Sequence, residues 1–140
     1  MTRWTIDCST ALKWFITEEN SDAASKWFSS RFRHVVPDLF HVEVGNVLWK
    51  RHRRNELSRS EVRRIYSELS SLPVHVVSGG QLGEAALDLA LAFEHSVYDC
   101  MYLAAAIASD APLVTADRKF HQLIKGSPLG AHIRWIEEVP

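Results

Sequence analysis

Short apolar runs at residues 4–6, 34–36, 73–77, 112–115 and 133–136 are separated by stretches of helical spacing. No other feature of the chain constrains its fold as strongly. The order reads β-α-α-β-α-α-β-α-α-β-α-β. Strands alternating with helices predict a mostly parallel sheet covered on both faces, an α/β protein built as a three-layer α/β/α sandwich. Covered faces also explain why the runs are short and apolar rather than alternating. In such sheets, ligands bind beyond the carboxyl ends of the strands.

The helix signals sharpen this map. Ser9 or Thr10 is expected to cap a short helix reaching about Ile16, and Ser21 or Asp22 a second reaching about Phe32. A third spans 39–53 and ends in a basic cluster. Ser58 and Glu61 form a capping-box pattern, and Ser78 and Gln81 a second one. Ser96 opens an Ala-rich helix, and a last helix runs from about Asp117 to Lys125, stopped by Gly126.

With 140 residues, the chain suits one domain over residues 1–140. Its formal net charge of -1 does not announce a basic nucleic-acid binder. Contact with nucleic acid must then come from a local basic patch or from metal ions. Cys8 and Cys100 form no C-x-x-C and no zinc spacing, which predicts two buried thiols in a reducing compartment. No signal peptide or long apolar run marks the N-terminus, so the expected location is the cytoplasm, with no membrane contact.

The acids fall in a pattern on this map. Asp7 ends the first strand, and Asp117 lies just past the strand that ends at Thr115. Both should point into one crevice. Glu43 sits one turn into the third helix, and Asp99 in the first turn of the Ala-rich helix, which does not directly follow a strand. Converging carboxylates repel one another, and a divalent cation resolves the conflict; all-oxygen ligation suits Mg²⁺ or Mn²⁺. Asn46 shares a helix face with Glu43, and Ser9 and Thr115 stand at strand ends as supporting groups. Each acid also has a local reading. Asp99 could complete a capping box with Ser96, Asp117 could cap its helix, Asp7 could begin a turn, and Glu43 could be a solvated helix acid.

Thr5-Ile-Asp7-Cys-Ser9, Glu43-Val-Gly-Asn46, Tyr98-Asp99-Cys-Met-Tyr102-Leu-Ala-Ala-Ala106 and Thr115-Ala-Asp117 resemble, in order and spacing, the motifs of PIN domains. The size is similar to that of the toxin ribonucleases of VapBC-type toxin–antitoxin pairs. Cys100 departs from the family's usual Ala or other small residue. The resemblance implies a PIN-like fold and a metal-dependent endoribonuclease. Asp7, Asp99, Asp117 and Glu43 would be its catalytic and metal-holding residues, Mg²⁺ or Mn²⁺ its cofactor, and a metal-activated water its nucleophile. It also implies a homodimer and an antitoxin whose C-terminal segment covers the active site.

Two further features suggest partners. Lys50, Arg51, Arg53 and Arg54 could contact RNA phosphates, or simply form a solvated helix end. Trp14-Phe15 and Trp27-Phe28, expected on two consecutive helices, could line a groove for the antitoxin, or fill the core. Competing enzymes fit poorly. A haloacid-dehalogenase-type phosphatase needs D-x-D where Asp7-Cys8-Ser9 stands, and a response-regulator receiver needs paired acids after the first strand. The serious alternative is a catalytically inactive PIN-like module that binds RNA or protein without cutting.

Overall fold

A computed structural model describes residues 2–140; Met1 lies outside the described residues. Its five strands are β1 (Thr2–Ile6), β2 (Phe32–Pro37), β3 (His75–Val77), β4 (Leu113–Thr115) and β5 (Ile133–Trp135). They form one sheet in the order β3-β2-β1-β4-β5. Every pairing is parallel, so the sheet is wholly rather than mostly parallel. Seven helices flank it: α1 (Cys8–Leu12), α2 (Ser21–Ser25), α3 (Leu39–Arg53), α4 (Arg59–Ser70), α5 (Gly79–Phe93), α6 (Val97–Ser109) and α7 (Arg118–Lys125).

Neighbouring strand residues point to opposite faces, and Val35 and Val36 show the consequence. Val35 packs in a cluster with Leu82 and Ala86 of α5 and Met101, Ala104 and Ala105 of α6. Val36 joins the larger cluster with Phe40, Val44 and Leu48 of α3 and Ile65 and Leu69 of α4. The result is the three-layer sandwich. α6 buries Cys100 through Ala106 without a break. A helix buried all round must carry small side chains where its neighbours come close, and the Ala run supplies them. Cys8 and Cys100 are free, buried thiols; burial pushes Cys100 up to about 11, which keeps it protonated.

Several local expectations are corrected. α1 is capped by Asp7, not by Ser9 or Thr10: the Thr10 N–H donates to Asp7 Oδ1 at 2.8 Å. α1 ends at Leu12 and α2 at Ser25, short of Ile16 and Phe32. In both places the chain tightens into three-residue turns, with the Trp14 N–H on the Ala11 carbonyl and the Trp27 N–H on the Ala24 carbonyl. Phe32 instead opens β2. The Ser58–Glu61 capping box forms in both directions. The Ser78–Gln81 box does not form; Asp38 Oδ2 accepts the Gly79 N–H at 2.9 Å from across the sheet edge.

Candidate active site

Strand order reverses between β1 and β4, because β2 and β3 extend from one side of β1 while β4 and β5 lie on the other. At such a switch point a crevice forms beyond the carboxyl ends of the two neighbouring strands. A cleft of about 300 Å³ opens there, walled by Asp7, Asp99, Asp117, Tyr102, Lys13 and Phe120, among others. Asp7 reaches it from the end of β1 and Asp117 from just past β4. Asp99 arrives on the first turn of α6, which crosses behind the sheet after α5.

The local readings of these acids separate on inspection. Asp7 and Asp117 do cap helices, each through Oδ1: Asp7 for α1, and Asp117 for α7, where the Phe120 N–H donates at 3.1 Å. The Thr115 Oγ1 accepts the Asp117 N–H at 3.0 Å and so fixes the turn that aims it. One carboxylate oxygen caps while the other stays available, so capping and ligation are compatible. Asp99 is not part of a capping box. The Ser96 Oγ accepts its N–H, while its carboxylate turns to His95 instead, with Oδ2 at 2.7 Å from Nε2.

Burial raises the Asp7 carboxyl from 3.8 to about 6; the Thr10 hydrogen bonds and Lys13 oppose this, and the Asp99 charge adds to it. Glu43 stands beside Tyr102 rather than in the cleft wall. Burial pushes its carboxyl up too, the neighbouring Tyr102 hydroxyl counters this, and Asp99 and Asp7 add to it. Its Oε1 is buried without a hydrogen bond of ordinary geometry, as is the Tyr102 hydroxyl. An orphaned buried carboxylate oxygen that feels the Asp99 and Asp7 charges is costly as it stands. That donor set, oxygen-rich and anionic, fits a hard divalent cation.

Of the other expected site residues, Ser9 lines the cleft and Thr115 orients Asp117. Asn46 is exposed and outside the cleft wall. In the basic cluster, Arg51 is tied to Glu18 and lies 3.9 Å from Glu56, and Arg53 lies over the Trp49 ring. Lys50 and Arg54 are exposed. Glu18 also holds Lys13 at 3.0 Å, linking the end of α3 to the cleft.

The four aromatics do not make one groove. Trp27 is wholly buried and donates its indole N–H to the Ile136 carbonyl at 2.6 Å. Trp14 is partly buried and donates to the Ala24 carbonyl at 2.8 Å, and Phe15 packs against the core. Only Phe28 is well exposed, at 52%. The cavity it borders lies against Phe32, Leu72 and Val74, toward the amino ends of β2 and β3 and away from the acids. Trp14, Phe15 and Trp27 sit in the turns that follow α1 and α2, which tuck them against the core, while Phe28 follows the second turn and stays outside.

Sequence reasoning missed His95 and Lys13. His95 lies within the α5–α6 connection, where Glu94 adopts a left-handed conformation with φ of 52°. Its only sequence signal was its place four residues before Asp99. Lys13 carried none, since its approach depends on the turn that closes α1.

The sequence profile of the PIN domain family matches residues 5–125. Ribonuclease VapC3 of Pyrobaculum aerophilum is 33% identical over 118 residues, spanning 81% of this chain and 88% of that protein. The crystal structure of PAE2754, also from Pyrobaculum aerophilum, superposes with a TM-score of 0.71 at 26% identity, covering 97% of this chain and 85% of that one. A toxin–antitoxin complex from Klebsiella pneumoniae shares the fold, with a TM-score of 0.69 at 17% identity, covering 97% of this chain and 99% of that one. The chain is thus a VapC-like member of the PIN domain family.

Proposed function

We propose that the chain, acting as one domain in the cytoplasm, is a divalent-metal-dependent endoribonuclease and the toxin of a toxin–antitoxin pair. The observation that carries this is the convergence of Asp7, Asp99 and Asp117 on one cleft, backed by the unpartnered Oε1 of Glu43. Asp7, Asp99 and Asp117 would hold Mg²⁺ or Mn²⁺. When bound, the ion supplies Lewis acidity, activating water and stabilising charge on the scissile phosphate. Glu43 has a raised proton affinity in a desolvated position, which suits a group that takes a proton from water during the reaction. Tyr102 stays protonated, since burial and Glu43 hold its hydroxyl far above the usual range, and it can donate to that carboxylate. A module that binds without cutting has no use for this set of acids.

Incubation with RNA of several classes is expected to give cleavage in Mg²⁺ or Mn²⁺ and none after EDTA. Binding without cleavage under every metal condition would favour the inactive module instead.

RNA approaching an acidic cleft needs cations nearby. Because Arg51 is engaged by Glu18, Lys50 and Arg54 are the better phosphate contacts. Reversing both to Glu is expected to weaken RNA binding and lower its salt slope by about 2, one for each lost contact. An unchanged slope in binding titrations would remove them from the interface.

For the antitoxin, the groove expected around the four aromatics is replaced by the outer face of α3 and α4. Val42 and Trp49, on the helix that carries Glu43, are exposed there by 71% and 50%, and Tyr66 of α4 by 40%. Trp49→Ser with Tyr66→Ser is expected to weaken antitoxin binding by about tenfold or more while cleavage persists; unchanged affinity would rule this face out. Leu87, Leu91 and Tyr98 expose a second apolar face on α5 and the start of α6, which suits a homodimer. Light scattering on Leu91→Asp decides this, since a variant as dimeric as the parent chain would exclude the face.

A further inference from the structure

His95 belongs to none of the motifs that carry the family resemblance, yet it is the side chain held closest to Asp99. Two independent contacts fix it. Its ring stacks on Phe120 with centroids 4.4 Å apart and planes 28° from parallel. Its Nε2 lies 2.7 Å from Asp99 Oδ2. Among the described residues, His95, Asp99 and Asp117 also form a cluster in which one ligand atom from each lies within 4.8 Å of the others.

We propose that His95 is a nitrogen ligand of the divalent cation, shifting the site's preference from Mg²⁺ toward Mn²⁺; this rests on the metal-holding role proposed for Asp99 and Asp117. Adjacent ligands of an octahedral cation with bonds of about 2.1 Å stand about 3 Å apart, and opposite ones about 4.2 Å. The spacing of Nε2 and Oδ2 is close to the adjacent-ligand value. Asp117 is exposed and reaches from a turn, so a small side-chain movement closes the set. Nε2 already faces Oδ2 at hydrogen-bond distance, so the ring is turned toward the carboxylate. A cation held there would replace this direct contact, with the imidazole proton on Nδ1. The stack on Phe120 prevents the ring from turning away. Mg²⁺ prefers oxygen donors and keeps its waters, whereas an imidazole nitrogen is better accepted by Mn²⁺ and the ions after it in the Irving–Williams order.

The test uses the intact chain with Mn²⁺ or Mg²⁺ alone. Pulsed electron paramagnetic resonance on the Mn²⁺-loaded protein is expected to show coupling to a directly bound ¹⁴N nucleus. His95→Phe keeps a ring to stack on Phe120, and His95→Gln keeps a hydrogen-bond donor for Asp99; both should lose the coupling. Calorimetry should show the Mn²⁺-over-Mg²⁺ preference falling by about tenfold or more in His95→Phe. Mn²⁺ bound by the parent chain without nitrogen coupling, or an unchanged preference in His95→Phe, would overturn the assignment while leaving the metal site intact. A parent chain that binds neither ion would overturn the metal site and this assignment together. Asp99→Asn separates the two ideas further, because loss of Mn²⁺ binding there supports the site whatever the coupling shows.

Discussion

Asp99→Asn is expected to lower RNA cleavage by about 10²–10³-fold or more, with the thermal midpoint unchanged. The size of the loss follows from charge. The substitution removes one negative charge from the cleft and replaces a carboxylate oxygen with an amide group, a poor donor for a hard cation. The absence of a folding effect follows from the α6 terminus. Ser96 provides the cap there, through its own Oγ, and the Asp99 side chain takes no part in it. The amide oxygen at 99 can still accept the proton that His95 Nε2 offers. The Asp99 side chain is about half exposed, so its removal opens no cavity. Single-turnover cleavage assays beside thermal melts measure both halves. Near-normal cleavage would exclude Asp99 from the metal site, and a large drop in melting temperature would show that its role is structural.

The parts of this molecule legible in its sequence are those decided locally. The bounds of α3, the Ser58–Glu61 box and the alternation of strands and helices depend on propensity, capping and periodicity within a few residues. The pairing of Asp7 with Asp117 was also legible, because both follow strands of a parallel sheet, and the switch point brings such strand ends together. Asp99 was harder to place, since α6 follows a helix. Its position depends on how deeply the Ala run lets α6 sink between α5 and the sheet. The illegible parts are decided by distant partners. Trp27 became core because the Ile136 carbonyl, 109 positions away, accepts its indole proton. The Ser78–Gln81 box gave way to Asp38, which accepts the Gly79 N–H at the start of α5 because β2 and β3 are adjacent. Arg51 is paired with Glu18, which only the fold of the α1–α2 turn brings near. His95 lay in a connection where neither helical nor strand periodicity applies.

Asp7→Asn should lose cleavage and gain stability, a combination that few structural residues can show. Burial raises the Asp7 carboxyl from 3.8 to about 6. A carboxyl with a raised pKa binds its proton more tightly in the folded chain than in the unfolded one. Between about pH 4 and 6 the folded chain therefore holds the extra proton, and stability falls as pH rises through that window. Above pH 6 the whole penalty is present. At 1.36 kcal/mol per unit it amounts to at most about 3 kcal/mol, since Asp7 keeps part of its surface in water. Asn at this position carries no charge to desolvate, and its amide oxygen can still accept the Thr10 N–H that caps α1. Thermal melts in EDTA should then place the variant up to about 10 °C above the parent chain at pH 7.5, with the gap closing below pH 4. Mn²⁺ reverses the order of benefit, because an ion that binds only the folded state stabilises it. The parent chain, with its carboxylate ionised, should gain more in melting temperature than the variant. Equal melting temperatures at pH 7.5 in EDTA would mean that Asp7 is not strained by burial. Equal gains on adding Mn²⁺ would mean that its carboxylate does not hold the ion. Strain without the ion and relief with it is the signature of a residue kept for ligation, and the two series of melts measure each separately.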